Sequence, residues 1–147
     1  MSAGEPDRPD WLELLDHTAD EGIAVRAGTR EALFARLGWG MFFLITDMGR
    51  VEPRDKVLVS VEAPDVEALV VRWLSELNFL HTTRHWLFSR FDVRPMGDDR
   101  SMTAEAFGEP IDLRRHAVHT EIKAITFHGL QVRSDASGWH GRVLFDV

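Results

Sequence analysis

The chain has 147 residues, 17 Lys and Arg against 24 Asp and Glu for a net charge of -7, and no cysteine. This length suits one domain, and 44% hydrophobic residues suffice for a core. The acidic balance argues against an unaided grip on a phosphate backbone and favours a cation or a basic partner, while the missing cysteines exclude disulfides, thiolate zinc sites, iron-sulfur clusters and cysteine nucleophiles.

Residues 1–10 read as a flexible tail preceding one domain over residues 11–147. The start holds no apolar signal-peptide core, and no run approaches the ~18 consecutive apolar residues of a membrane span, so the expected location is the cytoplasm, without membrane association. WLELLD, from Trp11 to Asp16, predicts a strand, and Ile23 to Ala27 predicts the next. From Thr29, a candidate N-cap, Leu33, Phe34, Leu37, Met41, Leu44 and Ile45 recur at helical spacing, with Gly38 and Gly40 as weak points. Val57, Val59 and Val61 alternate as in a half-buried strand. Asp65 caps a second predicted helix, whose stripe runs Val66, Leu69, Val70, Trp73, Leu74, Leu77 and Leu80.

After His85 the pattern predicts five late strands, WLFSRFDV, SMTAEAF, TEIKAITF, LQVRS and WHGRVLFDV, with turns at MGDDR, GEP and DASG and a helical turn at Ile111 to His116. Strands and helices do not alternate regularly, so the expected class is α+β: a two-layer sandwich with one mixed or antiparallel sheet packed against two main helices.

Asp16-His17-Thr18-Ala19-Asp20 places two carboxylates and an imidazole within five residues between two strands. Such a cluster suits metal or acid/base work, or a turn in which Asp and Thr bond the local backbone. Asp146 and Val147 follow directly on an apolar strand; convergence of Asp20, Asp146 and the last residue makes an all-oxygen site for a hard cation, whereas a solvated strand end is the plain alternative. Lys123 lies in TEIKAITF beside Glu121 and suits an anion, a tuned carboxylate or an exposed ion pair. His128 precedes Gly129, as turn residues do. His81 with His85, and His116 with His119, lack zinc-site context and read as incidental, and the tryptophans read as core.

DHTADEGI, ALVVRWLSELNFL, LFSRFDV, AFGEPIDLRRH, TEIKAITFHGLQV and GWHGRVLFDV occur in an order and at spacings that resemble the archease family, from Leu14 to Val147. The resemblance implies an α+β protein that is not itself an enzyme. It implies binding of calcium, or of another divalent ion such as magnesium or manganese. It also implies activation of an RtcB-type RNA ligase in tRNA splicing and RNA repair, by promoting guanylylation of the ligase from GTP; RNA is met only through the ligase. Carried over by position, the family's metal ligands fall on Asp20, Asp146 and Val147, and its activating lysine on Lys123; Asp16, His17 and His128 match further family positions. Glu21, Phe127 and Val147 depart from the usual residues. The rival readings are a metal-dependent hydrolase built on His17, Asp20 and His128, and a general protein chaperone.

Overall fold

The computed structural model describes residues 8–16 and 20–147. Its elements in chain order are β1 (Leu12–Asp16), β2 (Asp20–Ala27), α1 (Arg30–Ile45), a short 3-10 turn (Met48–Arg50), β3 (Asp55–Glu62), α2 (Val66–Arg84), β4 (Trp86–Val93), β5 (Ser101–Pro110), β6 (Ala124–Asp135) and β7 (Gly138–Asp146). The α+β class and the two main helices are as expected. The sheet count is not: the strands form two antiparallel sheets, ordered β1-β2-β7-β6 and β3-β5-β4, instead of one. Both sheets contribute to one continuous apolar core with the helices.

The two helices begin where their capping residues demand. Thr29 accepts the amide of Ala32 through Oγ1 at 3.1 Å, and Asp65 Oδ1 accepts that of Ala68 at 2.8 Å. The α2 helix ends at His85, which takes the left-handed conformation with φ 61° and closes its amide onto His81. Gly38 and Gly40, weak points for helix propensity, are packing positions. A Cβ on Gly40 would stand 2.9 Å from Ile23 Cδ1, so the missing side chain lets α1 approach β2. The fully buried Trp73 indole donates to the Phe34 carbonyl at 2.8 Å, tying α2 to the backbone of α1.

Alternation fixes the faces of the four-stranded sheet. Ile23, Val25 and Ala27 are buried in the core, which places Glu21 on the same helix-facing side and Asp20, Ala24 and Arg26 on the opposite, open side.

Four late strands replace the five predicted ones. TEIKAITF and LQVRS join as β6, which starts only at Ala124, so Glu121, Ile122 and Lys123 precede it. Thr126 pairs with Leu144 and Gln131 with Arg142, so residues 127–130 stand opposite Val143 alone. Gly129 takes φ 69° within this irregularity. GEP is not a turn: β5 continues through Pro110, and Gly108 lies against β4, where a Cβ would meet the Leu87 carbonyl oxygen at 1.8 Å. Ile111 to His116 make one hydrogen-bonded turn and no helix, with the Arg115 and His116 amides both donating to the Asp112 carbonyl. No described helix is long and apolar enough to cross a membrane.

Candidate functional site

One end of the four-stranded sheet collects most of the sequence-predicted residues. Asp20 opens β2 and Asp146 closes β7, and the two are direct antiparallel partners in the register. Side chains so opposed share a face, with Cβ atoms roughly 4.5–5.5 Å apart. Ala124 pairs with Asp146 on the other flank, and the Lys123 amide donates to the Asp146 carbonyl at 2.7 Å. The connection entering β6 is therefore bonded to the strand end that carries Asp146.

The two carboxylates of DHTAD do not project together. Asp16 pairs with Glu21, so alternation puts these two on the helix-facing side, opposite Asp20 and Asp146. Glu21 Oε2 is buried and accepts no hydrogen bond, on the face where its strand partner is the buried Phe145. His17 lies outside the described residues. Val147 is 36% exposed beside the exposed Asp146.

Lys123 sits apart from the paired carboxylates. It lines an open recess of about 310 Å³ with Ser75, Asn78, Phe79 and Thr82 of α2. In the recess wall Asn78 donates to the Ile122 carbonyl at 2.8 Å, while its own Oδ1 is buried without a partner. His128 occupies the irregular stretch of β6, exposed, and its carbonyl accepts a long bond from Thr126 Oγ1 at 3.4 Å. It is a strand residue in the register irregularity, not a turn residue, before the positive-φ Gly129, and no described contact joins it to Asp20 or Asp146.

Two opposed carboxylates at a strand end fit a hard, oxygen-seeking cation such as calcium, magnesium or manganese. Among the described residues no three His, Asp or Glu side chains converge to hold a metal. A cation on the Asp20 and Asp146 pair would therefore draw its other oxygens from outside that set, including the terminal residue and water. The paired carboxylates supply negative charge and oxygen donors on the open face of the sheet, and Lys123 supplies a positive charge in a recess on the other face.

A model of the archease protein family matches residues 12–147. The chain belongs to the archease family. It is 36% identical over 139 residues to the archease of Methanopyrus kandleri, covering 93% of this chain and 99% of that one. It is also 30% identical over 138 residues to the archease of Pyrococcus furiosus, covering 92% and 97%. The solution structure of Methanobacterium thermoautotrophicum protein 1598 superposes with a TM-score of 0.81 at 33% identity, covering 93% of this chain and 99% of that one.

Sequence reasoning missed a heavily bonded buried carboxylate in this archease chain. Glu109, with a side chain 0% exposed, accepts two bonds from Arg115 at 2.8 and 3.1 Å and one from Arg54 Nε at 3.0 Å. The Glu52 amide and His116 Nε2 add bonds at 2.9 and 3.0 Å. The Arg115 guanidinium is the main cause that holds this carboxyl down to about 2, helped by the Glu52 amide and His116. The available signal was a Glu, an Arg and a His inside the AFGEPIDLRRH segment; spacing alone could not pair them, because Arg54 and Glu52 arrive from the other side of β5. His116 is thus not incidental. Nor is His81, whose Nδ1 donates to the Trp86 carbonyl at 2.9 Å and whose burial depresses its proton affinity. Both serve the packing of loops on helices and strands.

Proposed function

We propose that this archease is a non-enzymatic accessory protein that activates an RtcB-type RNA ligase by promoting its GTP-dependent guanylylation and multiple turnover. The observation that carries the reading is the direct pairing of Asp20 with Asp146, in a strand end bonded to the backbone of Lys123. Asp20, Asp146 and Val147 would hold a divalent cation, calcium or a similar ion. Such an ion neutralises phosphate charge during nucleotidyl transfer.

This chain's own residues hold and present. The paired carboxylates project from the open face of a rigid sheet, and Lys123 offers a positive charge from the α2 recess. No described nucleophile is required, since the reacting groups belong to the ligase and GTP. Asp16, His17 and His128 are secondary candidates for the contact.

The test is guanylylation of an RtcB-type ligase from GTP with the accessory protein substoichiometric, with Asp146→Ala as control. Stimulation by the wild type and not by the variant supports the reading. Turnover of a phosphoester by the isolated protein, without ligase stimulation, would replace it with the hydrolase; equal help to unrelated unfolding clients would replace it with a chaperone.

A further inference from the structure

The connection from β5 to β6 spends residues 111–123 without regular structure, yet it is bonded along its length. Glu109 anchors it through Arg115 and His116. Asp112 takes the amides of Arg115 at 2.8 Å and His116 at 2.7 Å on its carbonyl, and that of Arg114 at 3.0 Å on Oδ1. Farther along, Thr46 Oγ1 donates to the Ala117 carbonyl at 2.6 Å, and the His119 amide donates to the Ile45 carbonyl at 2.7 Å.

A loop held so firmly would be expected to bury its apolar side chain. Instead Leu113 is 80% exposed, more than any other large apolar residue described, and Arg114 beside it is 94% exposed. Burying the Glu109 carboxylate beneath partly exposed arginines costs desolvation, and the return here is a fixed loop shape. An apolar side chain fixed in advance in water loses little freedom when it enters a pocket, which is the economy of a protein-binding anchor.

The charge around Leu113 states what it would meet. Arg50 and Arg114 line one recess of about 300 Å³ together with Leu113 and outnumber its Asp47, while Arg115 in the same wall is bonded to Glu109, in a chain whose net charge is -7. The same connection ends at Lys123, whose amide donates to the Asp146 carbonyl, so one chain segment joins Leu113 to the candidate site.

We propose that Leu113, with Arg50 and Arg114, is the docking surface for the ligase, and that it enters an apolar pocket rimmed by carboxylates on that partner. This inference rests on the reading given under Proposed function. A phosphate backbone is the less suitable occupant, because it offers nothing to an exposed leucine and is repelled by the rest of the chain.

The experiment titrates wild type, Leu113→Asp and Arg114→Glu against the ligase, reading both the Kd and the concentration for half-maximal guanylylation. A single-stranded RNA oligonucleotide is titrated in parallel. Leu113→Asp should raise both ligase values about tenfold or more, as loss of an interface anchor does, while the plateau rate at saturation stays at the wild-type level. Arg114→Glu should weaken binding and reduce its dependence on salt. Since Leu113 is mostly in water, an unchanged melting curve establishes that the variant is folded. Wild type that neither binds nor stimulates the ligase overturns the proposed function itself. Wild type that binds, with Leu113→Asp binding equally well, overturns the docking surface alone. Loss of RNA binding with ligase binding intact overturns it in favour of an RNA contact.

Discussion

Nδ1 of His116 accepts the amide of Asp112 at 2.9 Å, which leaves the ring proton on Nε2, 3.0 Å from Oε2 of Glu109. One imidazole thus joins the turn at the start of the β5–β6 connection to the buried carboxylate behind it.

Glu109 ionises at about 2 in the folded chain, below the ordinary 4.5, chiefly because Arg115 bonds its charged form. Its contribution to stability is therefore complete above about pH 4.5 and declines as pH falls through 4.5 toward 2. Glu109→Gln should cost about 1–2 kcal/mol at pH 7, since an amide loses the charge-assisted bonds to arginines that solvent partly screens. The melting-temperature gap between wild type and variant should narrow across that acid window. A gap constant from neutral to acid pH would remove Glu109 from the account.

Asp146→Ala should weaken calcium binding at least about tenfold by calorimetry, because a hard cation loses one of two opposed carboxylates. The bond from the Lys123 amide goes to the Asp146 main chain, which the substitution keeps. Far-ultraviolet dichroism and melting should be nearly unchanged. Calcium affinity equal to wild type would place the ion elsewhere.

Lys123→Ala should separate two effects. Lys123 lines the α2 recess while Asp20 and Asp146 project from the opposite face, so the variant should retain calcium affinity within about twofold yet lose ligase stimulation. Parallel loss of both would show that the lysine acts on the cation site.

Gly108→Ala is a purely structural test. Its Cβ would lie 1.8 Å from the Leu87 carbonyl oxygen and 2.8 Å from Phe88 Cα, both backbone atoms that cannot rotate away. The strands must separate, at a cost of about 3 kcal/mol or more, read as a lower urea midpoint. A midpoint within error of wild type would contradict the β4–β5 packing.

Periodicity carried the helices well, because Thr29 and Asp65 are strong caps and the apolar stripes are broad. It carried single strands but not their assembly: whether β3, β4 and β5 join β2 and β7 depends on pairing across distant segments, which a local pattern does not contain. The irregularity at residues 127–130 was invisible for a related reason, since two strand-like runs look alike whether a turn or a bulge divides them. Asp20 and Asp146 were legible as candidates from their places at strand ends. Their split from Asp16 and Glu21 required the register. Glu109 was illegible because half of its partners come from a distant segment, the loop carrying Glu52 and Arg54, and a lone Glu before Pro looks like a solvated turn.

The indole bond from Trp73 to Phe34 has a kinetic corollary. A donor enclosed in the interior and clasped by the neighbouring helix's main chain can trade its hydrogen with solvent only when the helices part. Trp73 Nε1 should be the slowest-exchanging of the indole protons, and its rate in deuterium oxide reports how often the interior opens, independent of what happens at the loops.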